Sequence, residues 1–188
     1  MGIHITPTKL QGAVIIDVDS FRDARGFFAE TYHKARYFER GLAYDFVQDN
    51  HSRSSKGVLR GLHFQDMTSP QDKLLRCTVG RIFDVAVDIR VGSPTFGQWA
   101  GVELSAENMR QFLVPVGFAH GFLTLSDVAE LQYKCTNYYA PAAEGAIRWD
   151  DPDVAIDWPM RDPILSGKDA VAPSLKEYLK NPKFEWKA

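Results

Sequence analysis

Cysteine is nearly absent from this chain. Among 188 residues only Cys77 and Cys135 occur, and no C-x-x-C spacing is present. This usage does not favour a disulfide framework. The N-terminus has no charged region followed by an apolar one, as a secretory signal has, and no apolar stretch approaches the ~18 residues of a membrane span. We therefore expect two free thiols in a reducing compartment, the cytoplasm.

The chain also lacks an excess of charge of either sign. Its formal net charge is −2 at pH 7, so no global basic field attracts nucleic acid or an anionic membrane. It contains no Walker A sequence, no G-x-G-x-x-G loop and no G-x-S-x-G elbow. Neither nucleotide hydrolysis nor nicotinamide binding is therefore indicated. The scattered basic residues are better suited to one anionic small molecule.

Short runs of alternating apolar residues, separated by turn residues, dominate the sequence. In one run Phe83, Val85, Val87 and Ile89 fall on one face, the period-2 pattern of a half-buried strand. This spacing predicts an all-β sandwich or barrel rather than βαβ units. The predicted strands are 13–18, 27–32, 46–52, 58–65, 73–79, 81–89, 97–104, 111–114, 120–125 and 129–139.

Helical signals are few. Residues 34–40 precede Gly41, which is suited to a helix C-cap. Ser174 and Glu177 have the spacing of a capping box and predict a terminal helix through Leu179. No internal repeat or linker interrupts the chain. We expect one domain over residues 1–188, with an N-terminal arm over about 1–30 and a C-terminal helical appendage over about 165–188.

Two segments each place a histidine at the end of a strand-like apolar run, beside a glycine. The first, 60–65, reads R-G-L-H-F-Q and contains His63; the second, 115–121, reads P-V-G-F-A-H-G and contains His120. These histidines can meet only if an all-β fold brings their strands together. They indicate a site inside a small barrel, which either holds a metal or performs acid–base chemistry.

The second segment resembles the P-x-G-x-x-H motif of the cupin superfamily. In that superfamily the first motif ordinarily supplies H-x-H and a later glutamate as metal ligands, but here Gln65 stands where a second histidine would. A stable protein metal site needs three or four ligands, and only His63 and His120 are plainly available. The resemblance implies a cupin-type β-barrel or jelly roll with a few short helices, mostly C-terminal, and we expect no bound metal.

Together the motifs resemble those of a more specific family, the dTDP-4-dehydrorhamnose 3,5-epimerases, over nearly the whole chain. The matching motifs are D-A-R-G-F-F at 23–28, Q-D-N-H-S at 48–52, R-G-L-H-F-Q at 60–65, Lys73, residues 115–122, Y-K-C-T-N-Y-Y at 133–139 and S-G-K-D at 166–169. No single motif is specific, whereas their joint order and spacing are.

This resemblance implies an isomerase of dTDP-rhamnose biosynthesis that needs no cofactor. Its implied substrate is the nucleotide sugar dTDP-4-dehydro-6-deoxy-D-glucose, which is inverted at C3 and C5 to give dTDP-4-dehydro-L-rhamnose. A homodimer that exchanges an N-terminal strand is also implied. Whether Arg25 serves its own site or that of the partner subunit stays open.

His63 is the residue that we predict to be the general base, because imidazole has an unperturbed pKa of ~6.5, close to the working pH. Strict alternation puts Arg60 and His63 on opposite faces of a strand, but a bulge at Gly61 can turn both inward. The alternative is a core histidine that is hydrogen-bonded to a backbone carbonyl.

Three further catalytic residues are implied by the resemblance. Asp169 pairs with His63 and fixes its tautomer. Tyr133 is the general acid on the opposite side of the substrate, and Lys73 lies near the C4 oxygen, where an ammonium stabilises an enolate. The residues alone leave three ordinary roles open, namely a solvated loop aspartate, a core tyrosine and a surface lysine.

The resemblance also implies a set of substrate-binding residues. Arg25 and Arg60 are suited to the diphosphate because guanidinium forms bidentate bonds to phosphate oxygens. Tyr139 matches an aromatic residue that stacks on thymine. The others, around the nucleotide and sugar, are Glu30, Gln48, Asn50, His120, Glu144 and Lys168. For each of them the residues alone leave an ordinary surface or core role open.

Three alternatives to this function remain. One is a mono-epimerase that inverts only C3 or only C5 of another deoxysugar. Another is a sugar 3,4-ketoisomerase, although the R-G-L-H-F-Q and Y-K-C-T-x-Y-Y runs fit the epimerases better. The last, from a different class, is a non-catalytic cupin that binds carbohydrate.

Overall fold

The computed structural model describes residues 2–187, most of which lie in β-strands or the loops that join them. The strands are β1 (Ile3–Pro7), β2 (Val14–Val18), β3 (Ser20–Asp23), β4 (Gly26–Ala29), β5 (Gln48–Ser55), β6 (Leu59–Gln65), β7 (Lys73–Val79), β8 (Arg81–Asp88), β9 (Trp99–Ser105), β10 (Gln111–Val114), β11 (Phe118–Thr124), β12 (Val128–Cys135) and β13 (Glu144–Ala146). The helices are α1 (Lys34–Glu39), α2 (Gly167–Ala170) and α3 (Leu175–Tyr178), with a 3-10 turn at Pro141–Ala143. Within residues 2–187, no helix has the length and apolar character needed to cross a membrane.

Two antiparallel sheets form the body of the fold. The larger sheet has the strand order β1-β2-β10-β7-β12-β5 and the smaller sheet the order β13-β6-β11-β8-β9, while β3 and β4 form a separate hairpin. Buried side chains from both sheets meet in one core, among them Leu75 and Phe112 from the larger sheet and Leu104 and Phe122 from the smaller. The expected all-β, cupin-type architecture is confirmed, as are its few short helices.

The C-terminal segment covers the outer face of the smaller sheet. Trp158 and Tyr178 belong to a second buried cluster, together with Val85 and Val87 of β8. On the other face of β8, Ala86 belongs to the core between the sheets. The prediction that this strand is half-buried is therefore wrong, because the C-terminal segment shields the face that would otherwise meet water.

Some other predicted elements have the bounds that the sequence predicted, and others end at different residues. Strands 73–79 and 111–114 have the predicted bounds, and Ser174 and Glu177 form the predicted capping box. The strand predicted over 129–139 ends earlier, since Thr136 accepts a hydrogen bond from the Asp72 amide and donates one to its carboxylate, each at 2.9 Å. Strands β1, β3 and β13 and helix α2 were not predicted; all four are five residues or shorter.

Candidate active site

The two histidine motifs lie on adjacent antiparallel strands. His63 on β6 is the direct cross-strand partner of His120 on β11, so the predicted meeting of the two histidines is confirmed. Gly61 has a φ of 129°, and a Cβ there would lie 2.5 Å from the Cα of Gly121. Glycines at both positions therefore allow these two strands to approach closely.

A β-bulge at this glycine changes which side chains face inward. The register shifts between the His120–His63 pair and the Phe122–Arg60 pair, so two residues of β6 oppose one of β11. As a result Arg60 and His63, which strict alternation would separate, line the same cavity. The sequence raised this bulge as a way to turn both inward, and the structure contains it.

This cavity has a volume of about 500 Å³ and is lined by residues of both sheets. Eight of the thirteen residues proposed from the sequence for catalysis or substrate binding line it: Arg60, His63, Lys73, His120, Tyr133, Glu144, Lys168 and Asp169. The remaining wall includes apolar side chains such as Leu131 and Leu165. Polar groups that converge within a partly apolar cavity are typical of small-molecule sites.

Helix α2 brings Asp169 to His63. Ser166 caps this short helix, and its hydroxyl donates to Asp169 Oδ2 at 2.9 Å, while His63 Nε2 lies 2.5 Å from Oδ1. Burial alone would raise the pKa of Asp169, but the hydrogen bonds from His63 and Ser166 outweigh it and lower the pKa of this carboxyl. Asp169 is 2% exposed, so it is not a solvated loop aspartate.

The Asp169 carboxylate decides which nitrogen of His63 can act as a base. A carboxylate only accepts hydrogen bonds, so the Nε2 of neutral His63 carries the proton. The lone pair of the neutral ring is then on Nδ1. A carboxylate at this position also stabilises the protonated form of a histidine.

His120 has a carboxylate partner of its own, which the sequence reasoning missed. Its Nε2 lies 2.8 Å from Asp84 Oδ1 in the barrel interior, where both residues are buried. Burial raises the pKa of Asp84, although the nearby His120 and Lys73 oppose that rise. The sequence signal was an acidic residue in the middle of an otherwise apolar stretch of β8, which gave no indication of its partner.

Lys73 and Tyr133 lie on neighbouring strands of the larger sheet. Lys73 is half-buried in the cavity wall, where burial lowers the pKa of its ammonium and the nearby Cys135, Asp84 and Glu144 oppose this effect. Tyr133 packs against the core, and burial raises its pKa, so its hydroxyl keeps its proton at neutral pH. Lys73 is therefore not a surface lysine, and Tyr133 has access to the cavity although it packs on the core.

Glu144 connects the cavity to the loop that carries Tyr139. Its carboxylate accepts a hydrogen bond from the Tyr139 hydroxyl at 2.9 Å and pairs with Lys168. Burial alone would raise the pKa of Glu144, but the bonds from Lys168 and Tyr139 outweigh it and lower the pKa. The backbone N–H of Tyr139 donates to Gln48 Oε1 at 2.9 Å, which places Gln48 beside the same loop.

Three other predicted residues lie outside the cavity. Asn50 lines a neighbouring pocket of about 220 Å³ that Tyr133 also borders. Arg25 lies at the tip of the β3–β4 hairpin, where its side chain is 90% exposed and pairs with Asp23. Glu30 pairs with Arg36 of α1. The single chain thus does not bring Arg25 or Glu30 to the cavity.

Ser166 carries a local sequence signal for the helix that holds Asp169. It lies three residues before Asp169, the spacing at which a serine caps a helix whose third position is acidic. Apolar periodicity gave no sign of α2 because the helix is only four residues long. The capping pattern was therefore the one local signal that Asp169 is held in place.

Each cavity histidine thus pairs with an aspartate. Within the described part of the chain, no group of three or more His, Cys, Asp or Glu side chains is arranged to hold a metal ion. Cys77 and Cys135 are free and buried, as expected for two thiols without a disulfide. The expectation that the protein works without a metal stays a prediction.

An antiparallel barrel whose internal cavity collects histidines, a tyrosine and a lysine defines a cupin-type enzyme of the acid–base class. Residues 7–177 match the family model described as dTDP-4-dehydrorhamnose 3,5-epimerase. The chain belongs to this family of isomerases, which confirms the family inferred from its motifs.

Curated relatives and a solved structure agree with this assignment. The dTDP-4-dehydrorhamnose 3,5-epimerase of Salmonella typhimurium is 55% identical over 177 residues, which cover 93% of this chain and 97% of that one. The Escherichia coli enzyme of the same name is 52% identical over 95% of this chain and 97% of its own. The dTDP-6-deoxy-D-glucose-3,5-epimerase of Legionella pneumophila, solved in complex with dTDP-4-keto-L-rhamnose, has a TM-score of 0.95 at 50% identity, with both chains fully covered.

Proposed function

We propose that this chain epimerises C3 and C5 of dTDP-4-dehydro-6-deoxy-D-glucose to give dTDP-4-dehydro-L-rhamnose. The observation that carries this proposal is that one cavity is lined by the His63–Asp169 pair and by Tyr133. A base and a proton donor that act on one carbon from opposite sides produce inversion. The names of the relatives support the same reaction and the same substrate class.

The chemistry follows from the ketone of the substrate. The C–H bonds at C3 and C5 are both adjacent to the C4 carbonyl, so removal of either proton gives an enolate. In this proposal His63 takes each proton in turn, Lys73 stabilises the negative oxygen, and Tyr133 returns a proton to the other face. The carbonyl of the substrate accepts the electron pair, so the reaction needs no redox cofactor.

The rest of the site is proposed to bind the nucleotide. Arg60 and Lys168 line the cavity and supply positive charge for the diphosphate. Tyr139, which is 54% exposed, offers a ring on which thymine can stack. His120, held by Asp84, then serves the sugar or the developing enolate.

Exchange with solvent deuterium tests the proposed reaction. The purified protein, incubated with dTDP-4-dehydro-6-deoxy-D-glucose in D₂O, is expected to introduce deuterium at both C3 and C5, which NMR measures position by position. Incorporation at one carbon alone would identify a mono-epimerase. A ketoisomerase would instead yield a product with its carbonyl at C3, and no incorporation at either carbon would refute the enzyme proposal.

We further propose a homodimer that works in the cytoplasm, with the N-terminal region contributing to the contact between subunits. The β3–β4 hairpin leaves Phe21, Phe27 and Phe28 more than half exposed. Exposed apolar groups of this size are typical of an interaction surface. Arg25 at the tip of this hairpin does not reach the cavity of its own chain, which favours a role in the site of a second copy.

Light scattering is expected to give twice the chain mass, and complementation tests the role of Arg25. The Arg25→Ala and His63→Ala variants are each expected to be impaired. If Arg25 acts across the dimer, a mixed dimer of the two retains one complete site and recovers activity. Mixed dimers no more active than the Arg25→Ala parent would place Arg25 in its own subunit's site, and a monomer in solution would contradict the dimer proposal.

A further inference from the structure

Gln65 uses both ends of its side-chain amide to hold backbone. It ends strand β6, two residues after His63, and is 6% exposed. Its Nε2 donates to the carbonyl oxygens of Ser69 and Tyr138 at 2.7 and 3.3 Å, and its Oε1 accepts from the N–H of Ala140 at 2.7 Å. Two of these three bonds reach across more than 70 residues of sequence, to the loop that follows β12.

That loop carries Tyr139, and Gln65 binds it on both sides of this residue. Gln71 Nε2 adds a bond to the carbonyl oxygen of Asn137 at 2.7 Å. The backbone of the loop is thus fixed by buried or half-buried amides, while the Tyr139 ring remains half exposed. An exposed ring is an effective stacking surface when its backbone is already ordered, because binding then costs less conformational entropy.

An amide is well suited to this position. It donates and accepts hydrogen bonds at once, so a single side chain can satisfy two carbonyl oxygens and one N–H of two loops. In a barrel with the H-x-H pattern, the residue at this position would be a metal ligand. Here the same strand carries the proposed base at His63 and, two residues later, an anchor for the loop beside it.

We propose that Gln65 is a positioning residue for nucleotide binding, which holds the Tyr139 loop in the conformation that stacks on the base of a thymidine nucleotide. This inference rests on the proposed function, because it assigns the Tyr139 ring to the thymine. Gln65 acts through Tyr139, and its three side-chain hydrogen bonds all go to backbone groups rather than to the side chains proposed for catalysis.

The Gln65→Met variant tests this role with a side chain of similar length that makes none of the three bonds. Its affinity for dTDP, measured by isothermal titration calorimetry, is expected to fall about tenfold because the loop must be ordered on binding. KM is expected to rise by a similar factor, with kcat changed less than about twofold. An unchanged dTDP affinity would overturn the proposal.

A double-mutant cycle with Tyr139→Ala separates a role through Tyr139 from a general loss of order. If Gln65 acts through the ring, Gln65→Met is expected to weaken dTDP binding by less than about twofold when Tyr139 is already alanine. Fully additive losses would overturn the proposal, because they would mean that Gln65 affects binding independently of Tyr139.

Tyr178→Phe is a matched control. The hydroxyl of Tyr178 is also buried and binds three backbone groups, those of Ile89, Lys183 and Phe184, but on the covered outer face. This variant is expected to lower the melting temperature without changing dTDP affinity; an equal loss of affinity would overturn the specific role of Gln65.

Binding of dTDP needs no turnover, so a wild type that binds dTDP but exchanges no deuterium would refute the epimerase proposal alone.

Discussion

Replacement of His63 by alanine is expected to abolish deuterium exchange at C3 and at C5 together. A well-placed general base contributes about 10²–10⁴-fold to a rate, so we expect a loss of about a thousandfold at each carbon. The physical reason is that, in the proposed mechanism, one histidine, which lies beside Asp169, supplies the base for both positions. NMR of the sugar protons in D₂O measures both rates in one experiment.

The test of His63→Ala compares the rates of deuterium exchange at C3 and C5 under the same conditions. Exchange that survives at either carbon would contradict a single base and would implicate His120, the other histidine of the cavity.

Asp169→Asn is expected to slow exchange at both carbons by the same factor, because it acts through His63. His4→Ala is a matched control, since His4 also lies beside an aspartate, Asp19, but its side chain is 73% exposed and does not line the cavity. It is expected to leave both rates unchanged.

Replacement of Tyr133 by phenylalanine is expected to separate exchange from epimerisation. The base can remove a proton and return deuterium on the same face without Tyr133, so exchange should stay within about tenfold of wild type. Net inversion needs the donor on the opposite face, and we expect it to fall about a hundredfold. The ratio of the two rates, measured by NMR in one sample, therefore reports on the role of Tyr133.

Equal losses of exchange and inversion in Tyr133→Phe would contradict the role of general acid and indicate a role in binding or structure. Tyr37→Phe controls for the loss of a buried hydroxyl, because Tyr37 is buried on the outer side of the larger sheet and donates to Gln111. It is expected to reduce stability while the ratio of exchange to inversion stays at its wild-type value.

Local sequence patterns predicted part of the arrangement of side chains in the site. The motifs around His63 and His120 predicted that these two residues meet, and Gly61 marked a position at which a bulge can turn Arg60 and His63 inward. Both features follow from local chemistry, because a glycine with φ of 129° and a strand with period 2 are local properties. The pairing of His63 with Asp169, 106 residues away, was inferred from family resemblance alone.

Some features had no local signal. Asp84 interrupts an apolar strand without indicating that it binds His120. The alternation in β8 predicted a half-buried strand, because the segment that covers its outer face lies far along the chain and leaves no mark on that pattern. Gln65 was noted for the metal ligand that it replaces, and only the folded chain places its amide against Tyr138 and Ala140. Each of these depends on which segments pack together, which the period of one strand does not encode.

The sequence by itself determined the fold class, the family and the meeting of His63 with His120. Strand alternation, turn residues and glycines next to histidines are local, and each has few structural solutions. Only the tertiary structure decided that Gln65 anchors a loop, that His120 has an aspartate partner, and that one chain leaves Arg25 outside its own cavity. Those outcomes depend on sheet register and on the covering of outer faces, which arise from contacts between segments that are distant in sequence.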